Sequence, residues 1–136
     1  MRMSFFVALI SIATPSFAQS NLVINWEWKR VHQCSSTSPG IEVSGIPADT
    51  KAFSVSLVDH DARGFDHGGG HVMHDGSPNA LIAEGALKNY RGPCPPNFQS
   101  FGHDYEFTVQ AIAADGKTVL ARGSKTKTFS ASSVKQ

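Results

Sequence analysis

Alternating apolar and polar residues mark three stretches of this chain. The apolar positions of the three stretches are Leu22, Ile24, Trp26 and Trp28; Phe53, Val55 and Leu57; and Tyr105, Phe107, Val109 and Ala111. A period of two is typical of a β-strand with one face in the core and the other in water. We therefore predict three half-buried strands, the first and third with aromatic inner faces.

Weaker patterns predict short elements between and after these strands. We predict a short extended segment over residues 41–43. Asp115-Gly116 predicts a hairpin turn with a return strand over 118–121. Residues 80–87 are apolar in part, but Gly85 interrupts them, so we expect one helical turn at most. Short strands, little helix and many Gly/Pro turns together predict an all-β sandwich.

Two segments carry no regular pattern. Residues 63–70 contain four glycines and no apolar periodicity, so we predict a loop there, with at most a short strand at Val72-Met73. Residues 125–136 are mostly polar, and we expect this tail to fray after Phe129.

The N-terminus has the pattern of a secretory signal peptide. Arg2 precedes an apolar run from Phe5 to Ala13, and small residues at Ser16 and Ala18 resemble a signal-peptidase site. The run is shorter than the roughly 20 residues that span a bilayer. We predict a signal peptide over residues 1–18 and one domain over 19–136, periplasmic or secreted and without integral membrane association.

The charge balance narrows the classes of partner. Without Arg2 the predicted mature chain has 11 basic and 11 acidic residues, so its net charge is close to zero. A nucleic-acid or acidic-membrane binder needs clustered positive charge. We therefore expect no nucleic-acid partner.

The two cysteines, Cys34 and Cys94, predict a disulfide, because an even pair in an exported protein is usually oxidised. Two free thiols are the alternative. The bond would close a loop of about 60 residues and stabilise the fold by on the order of 4 kcal/mol. It would also tie an early segment to the Gly92–Pro96 loop, which three prolines make stiff.

Ionisable residues crowd the middle of the chain. They are Asp59, Asp61, Asp66, His67, His71, His74 and Asp75. Asp59 and Asp61 lie two apart at a strand's exit and point to the same side, so a cation, a proton or backbone N–H groups must compensate their repulsion. One interpretation is a zinc or copper site formed by His67, His71 and His74 with Asp59 or Asp61.

The glycines at 68–70 favour close approach of backbone to a ligand, and with His67 they resemble the oxyanion loop of lipases. A lipase-type hydrolase also needs a G-x-S-x-G turn for its nucleophile. The sequence contains no such turn, which argues against a serine hydrolase.

Four segments of the chain carry motifs in a fixed order. They are Ser38-Pro39 through Phe53, Asp59-His60-Asp61-Ala62-Arg63, Gly92-Pro93-Cys94-Pro95-Pro96, and His103-Asp104-Tyr105 through Val109. Together they resemble the phosphatidylethanolamine-binding proteins, including the bacterial Raf-kinase-inhibitor-like members. The family patterns that they resemble are SP-x-I-x-W-x-G-I-P-A-G-T-K-S-F, D-P-D-A-P, G-P-x-P-P and H-R-Y-x-F-T-V.

The resemblance implies a Greek-key β-sandwich with a small pocket at one end for phosphate, phosphorylated headgroups or carboxylates, and it implies no cofactor. The ligand-binding residues that we expect are Asp59, Asp61, His67, His71, Gly92, Pro93, Pro96, His103 and Tyr105. A histidine, a tyrosine hydroxyl and loop N–H groups can hold an oxyanion, while an aspartate orients the imidazole.

This chain departs from the family pattern around the pocket. His60 and Arg63 replace both prolines of D-P-D-A-P. The family's W-W-H-W strand, which supplies a second pocket histidine, has no clean counterpart. Ungapped counting puts that histidine on Gly70 and a one-residue insertion puts it on His71, so we favour His71, with His67 second.

Three functional hypotheses follow. The first is an exported, non-catalytic binding module for a small anion or phosphorylated headgroup, with the question of a protein partner left open. The second is a zinc- or copper-dependent enzyme or metal carrier that uses His67, His71, His74 and Asp59. The third is an exported inhibitor that plugs a protease or lysozyme with the disulfide-anchored loop around Cys94.

Overall fold

The chain forms two β-sheets, seen here in a computed structural model that describes residues 10–13 and 20–136. The predicted signal peptide lies outside the described residues except for positions 10–13. The strands are β1 (Ser20–Asn21), β2 (Val23–Trp26), β3 (Ile41–Ser44), β4 (Ala52–Asp59), β5 (Gly68–Met73), β6 (Asn79–Ile82), β7 (Asn89–Tyr90), β8 (His103–Ile112) and β9 (Val119–Phe129). One 3-10 turn, Arg30–His32, follows β2. None of the helices in the described residues has the length and apolarity to cross a membrane.

The larger sheet has the order β1-β9-β8-β4-β5-β7, and the smaller sheet has the order β2-β3-β6. Only β1 and β9 pair in parallel among these strands. The two sheets meet through aromatic residues, because the rings of Trp26 and Trp28 lie 5.0 and 5.7 Å from that of Phe107. The predicted all-β sandwich is confirmed.

The three alternating stretches are the core, as the sequence predicts. Every apolar position of these stretches is buried. Trp28 lies just beyond β2, and its ring packs edge-on against Phe129 at 5.4 Å. The apolar periodicity therefore identified both the buried faces and the aromatic centre of the fold.

The glycine segment is wrongly predicted as a loop, because β5 begins at Gly68. Strand β5 pairs with β4, and a Cβ on Gly69 would lie 1.8 Å from the Val55 carbonyl oxygen. The glycines allow this close approach of two backbones. Periodicity could not find the strand because glycines carry no side chain to alternate.

Two other predictions need correction. Residues 79–82 form strand β6 against β3 instead of a helical turn. The tail does not fray after Phe129, since the Lys135 N–H donates to the Trp28 carbonyl at 2.9 Å and Val134 is buried. Both segments are stabilised by partners distant in sequence, which local patterns do not show.

The Cys34–Cys94 disulfide is present and joins segments 60 residues apart. Two backbone hydrogen bonds reinforce it, from the Cys34 N–H to the Pro93 carbonyl and from the Gly92 N–H to the Ser35 carbonyl, each 2.8 Å. The stiff loop is therefore fixed to the start of the domain.

Strand register brings three loops to one end of the larger sheet. Asp59 at the end of β4 lies opposite Tyr105 near the start of β8, and Gly68 at the start of β5 lies opposite Tyr90. The loops after β4 and β7 and the turn before β8 consequently surround one small space.

Candidate functional site

A cavity of about 160 Å³ opens at this end of the sheet. It has room for about five water molecules. Its lining residues are Asp59, Ala62, Phe65, His67, Gly92, Cys94, Pro96, His103 and Tyr105. A cavity of this size accommodates a group such as phosphate or carboxylate, whereas drug-sized ligands occupy roughly 300–1,000 Å³.

Asp59 is the buried acid of the pocket, with 3% of its surface exposed. Its Oδ1 accepts hydrogen bonds from the N–H groups of Asp61 at 2.9 Å and Ala62 at 3.1 Å. Its Oδ2 accepts one from Nδ1 of His103 at 2.8 Å. Burial alone would raise the pKa of Asp59, but the bonds from His103 and the Asp61 N–H outweigh it and hold that pKa below its ordinary value. The buried carboxylate is therefore ionised at neutral pH.

Two imidazole rings flank this carboxylate, and each is held through its Nδ1 atom. Nδ1 of His103 donates to Asp59, and Nδ1 of His67 donates to the Arg91 carbonyl at 2.7 Å. Nε2 of His67 lies 3.8 Å from Oδ2 of Asp59, beyond hydrogen-bonding distance. Neither Nε2 atom has a hydrogen-bond partner within residues 10–13 and 20–136. Both rings are thus oriented, and each keeps one nitrogen for a ligand.

Tyr105 forms the base of the pocket and is 1% exposed. Its ring lies between the two pocket imidazoles, 5.4 Å from that of His67 and 6.2 Å from that of His103. Burial first, and then the negative charge of the nearby Asp59, raise the pKa of Tyr105 above its ordinary value. The hydroxyl therefore stays protonated at neutral pH.

The Gly92–Pro96 loop forms one wall, as expected, but it offers few N–H groups to an anion. Three of its residues are prolines, which have no N–H. The Gly92 N–H donates to the Ser35 carbonyl. The loop supplies mainly shape, and Nε2 of each imidazole is left without a partner among the described residues.

Six of the nine expected ligand-binding residues line the cavity. They are Asp59, His67, Gly92, Pro96, His103 and Tyr105. Asp61 lies beside it, where its Oδ2 accepts the Asp104 N–H at 2.8 Å. Pro93, within the Gly92–Pro96 loop, is fully buried and does not line the cavity.

His71, the favoured second histidine, is exposed on β5 opposite Ser54 and does not line the cavity. The position that we expected for His71 is occupied by His67, because the loop after β4 turns His67 inward just before β5 begins. Counting along a motif could not reveal that turn.

Phe65 and Ala62 line the cavity although the sequence analysis did not select them. The Phe65 ring packs on His67 at 4.6 Å. An isolated aromatic residue in a polar, glycine-rich loop is the signal that could have identified Phe65.

The histidines of the expected metal site are not gathered together. His71 is exposed, and Nε2 of His74 donates to the Ser77 carbonyl at 2.8 Å while its ring packs on Phe53. In the part of the chain that the structure describes, the single group of three metal-ligating types is Asp59, Asp61 and His103, whose ligand atoms lie within 4.8 Å of one another.

Comparison with known protein families agrees with this architecture. The family described as phosphatidylethanolamine-binding protein matches residues 14–135, which is most of the chain. Members bind anions or phosphoryl groups, and most are non-catalytic binding proteins. The two sheets, the pocket at the end of the larger one and this match together show that the chain belongs to the phosphatidylethanolamine-binding protein family.

Proposed function

We propose that the chain is an exported, non-catalytic binding module whose pocket holds a small anion, in particular a phosphoryl group. The observation that carries the proposal is the pair of imidazoles, His67 and His103, each fixed through Nδ1 with Nε2 left for a ligand. Two convergent donors beside a small cavity are a suitable arrangement for an oxyanion.

The protonation state of the imidazoles is part of this proposal. Nδ1 of each ring already donates a hydrogen bond, so Nε2 can donate to an oxyanion only when the ring carries both protons. An oxyanion without hydrogen bonds is costly to remove from water, which is why both rings have to donate. The Asp59 carboxylate stabilises the positive charge of a doubly protonated His103 through the bond to Nδ1.

Two observations support export. The N-terminal sequence has the arrangement of a signal peptide. The Cys34–Cys94 disulfide suits an oxidising compartment such as the periplasm or the extracellular space.

The test is calorimetric titration of the protein with inorganic phosphate and with O-phosphoethanolamine. We expect His67→Ala and His103→Ala each to weaken binding by about tenfold or more, since a hydrogen bond to a charged group contributes about 1.5–3 kcal/mol. His71→Ala is the matched control, because this histidine is exposed outside the cavity. Repeating the titrations in buffers of different ionisation enthalpy measures the number of protons taken up or released on binding.

Two results would contradict the proposal. One is the absence of heat with either phosphoryl compound. The other is equal affinity for the wild type and both pocket variants, which would place the bound anion elsewhere on the surface.

A metal carrier or metal-dependent enzyme is the second candidate, and the proximity of Asp59, Asp61 and His103 favours it. Elemental analysis of protein purified without chelators tests it. About one zinc or copper ion per chain, lost in His103→Ala and kept in His71→Ala, would support this candidate over the anion pocket.

A further inference from the structure

The Cys34–Cys94 disulfide lies at the surface beside the pocket. Both cysteines are exposed, and Cys94 is also part of the cavity lining. A small dithiol or a redox protein can therefore reach the sulfur atoms without any opening of the core. The same bond that stabilises the fold is accessible to thiol–disulfide exchange.

Cys94 belongs to the pocket wall itself. It lines the cavity together with Gly92 and Pro96 of its own loop, and Asp59 and His103 line the same space. Asp59 accepts the bond from Nδ1 of His103. A shift of Cys94 therefore changes the space beside an imidazole that is offered to the ligand.

The partner cysteine has an unusual backbone conformation. Cys34 has φ +52°, the only positive φ at a non-glycine residue among those described. This left-handed region is unfavourable for residues with a Cβ and is kept where surrounding structure enforces it. The disulfide and the hydrogen bond from the Cys34 N–H to the Pro93 carbonyl hold Cys34 in this conformation. Without the disulfide, Cys34 can relax and release the Pro93 carbonyl.

We propose that the Cys34–Cys94 disulfide is a redox modification site that sets the affinity of the pocket for its anion. This inference rests on the proposed function. A thiolate of a dithiol attacks one sulfur and forms a mixed disulfide, and the other cysteine leaves as a thiol. The second thiolate then displaces the remaining cysteine, so the protein gains two electrons and two protons while the dithiol becomes a disulfide. In the reduced protein the Cys94 wall is no longer fixed, the cavity beside Asp59 and His103 loses its shape, and the anion binds more weakly.

The first experiment compares phosphate affinity in oxidised protein and in protein kept reduced with dithiothreitol. We expect phosphate to bind about tenfold more weakly after reduction and to recover its full affinity after reoxidation. A tenfold change lies within the usual range of coupling between two sites. Near-UV circular dichroism establishes that both forms are folded. A Cys34→Ser/Cys94→Ser double variant should have the affinity of the reduced protein and no response to dithiothreitol.

A second experiment uses the reciprocity of coupled equilibria. If the oxidised form binds phosphate more tightly, phosphate must shift the thiol–disulfide ratio toward the disulfide by the same factor. The ratio is measured by alkylation and mass spectrometry in glutathione redox buffers, with phosphate and with an equal ionic strength of chloride.

The outcomes separate the two proposals. Equal phosphate affinity in both folded forms overturns the redox inference and leaves the anion pocket standing. Unfolding of the reduced chain also overturns it, because the bond would then act on the whole fold and not on the pocket. The absence of phosphate binding in the oxidised protein overturns both proposals.

Discussion

At the scale of single residues, Asp59 combines structural and chemical roles. One carboxylate oxygen closes the turn after β4 by accepting two N–H groups, and the other orients His103. These bonds outweigh the cost of burying a charge, which is why the pKa of Asp59 is lowered and not raised. The residue that orients His103 is therefore also a source of pH-dependent stability.

Asp59→Asn should lower the free energy of unfolding by about 1.5–3 kcal/mol at pH 7, the value of a hydrogen bond to a charged group. Because the pKa of Asp59 is lower in the folded than in the unfolded chain, its contribution is complete above the ordinary value of 3.8 and is lost as pH falls through the folded value. The difference between wild type and variant should therefore shrink below pH 4. Urea unfolding at pH 7, 4 and 3 measures it.

Asp49→Asn is the control for this measurement. Asp49 is an exposed residue in a turn, with no side-chain hydrogen bond to the described residues. Its substitution should change stability little at any of the three pH values. The wild type and Asp59→Asn differ in their free energy of unfolding. If that difference stays constant down to pH 3, the Asp59 charge does not stabilise the fold.

At the scale of elements, β5 shows that close contact with the backbone of a neighbouring strand can determine where a strand forms. Gly69 faces the backbone of Val55 on β4 so closely that any side chain would collide with it. The glycines keep β5 near β4 and place His67, at the entrance of the strand, against Asp59.

Gly69→Ala should lower the free energy of unfolding by about 2 kcal/mol or more, in the range of overpacked sites. The added Cβ would lie 1.8 Å from the Val55 carbonyl oxygen, and that backbone must move. Gly64→Ala is the matched control, because no atom lies within 4 Å of a Cβ at that position. Thermal unfolding of the two variants gives the comparison, and equal melting temperatures would refute the close packing of β5 on β4.

The elements differ in how far their own sequence predicts them. Burial alternates strictly along β4, and it alternates along β8 except at Thr108 and Ile112, which are also buried. The glycine half of β5 and the whole of β6 were missed, because glycines and short length remove the alternation. Their pairing depends on β4 and β3, which are distant in sequence.

The candidate site, like the strands, was predictable from the sequence only in part. Motif order placed Asp59, the Gly92–Pro96 loop, His103 and Tyr105 around one cavity. The choice between His67 and His71 was not predictable, because it depends on the path of the loop after β4. Nor could residue types show that the Gly92 N–H is already bonded to the Ser35 carbonyl.

At the scale of the whole molecule, one covalent bond connects the start of the domain to the pocket wall. Cys34 follows the 3-10 turn after β2, whereas Cys94 lies between β7 and β8. The bond therefore restricts the unfolded chain over about half of the domain.

Cys34→Ala should lower the free energy of unfolding under oxidising conditions by about 4 kcal/mol, from the loss of a closed loop of roughly 60 residues in the unfolded state. In the presence of dithiothreitol the wild type loses the same restraint, so the difference between the two proteins should nearly vanish. Urea unfolding with and without reductant measures both values. Equal stability of the two oxidised proteins would show that the bond does not stabilise the fold.

The aromatic contact between the sheets has an optical consequence. Trp26 and Trp28 are the only tryptophans in the chain, and both are almost fully buried. The Trp28 ring lies 6.1 Å from that of Tyr105, and the Tyr105 ring also contacts both pocket imidazoles. Indole fluorescence therefore originates one residue away from the pocket. The protein carries an intrinsic reporter of pocket occupancy that needs no attached dye.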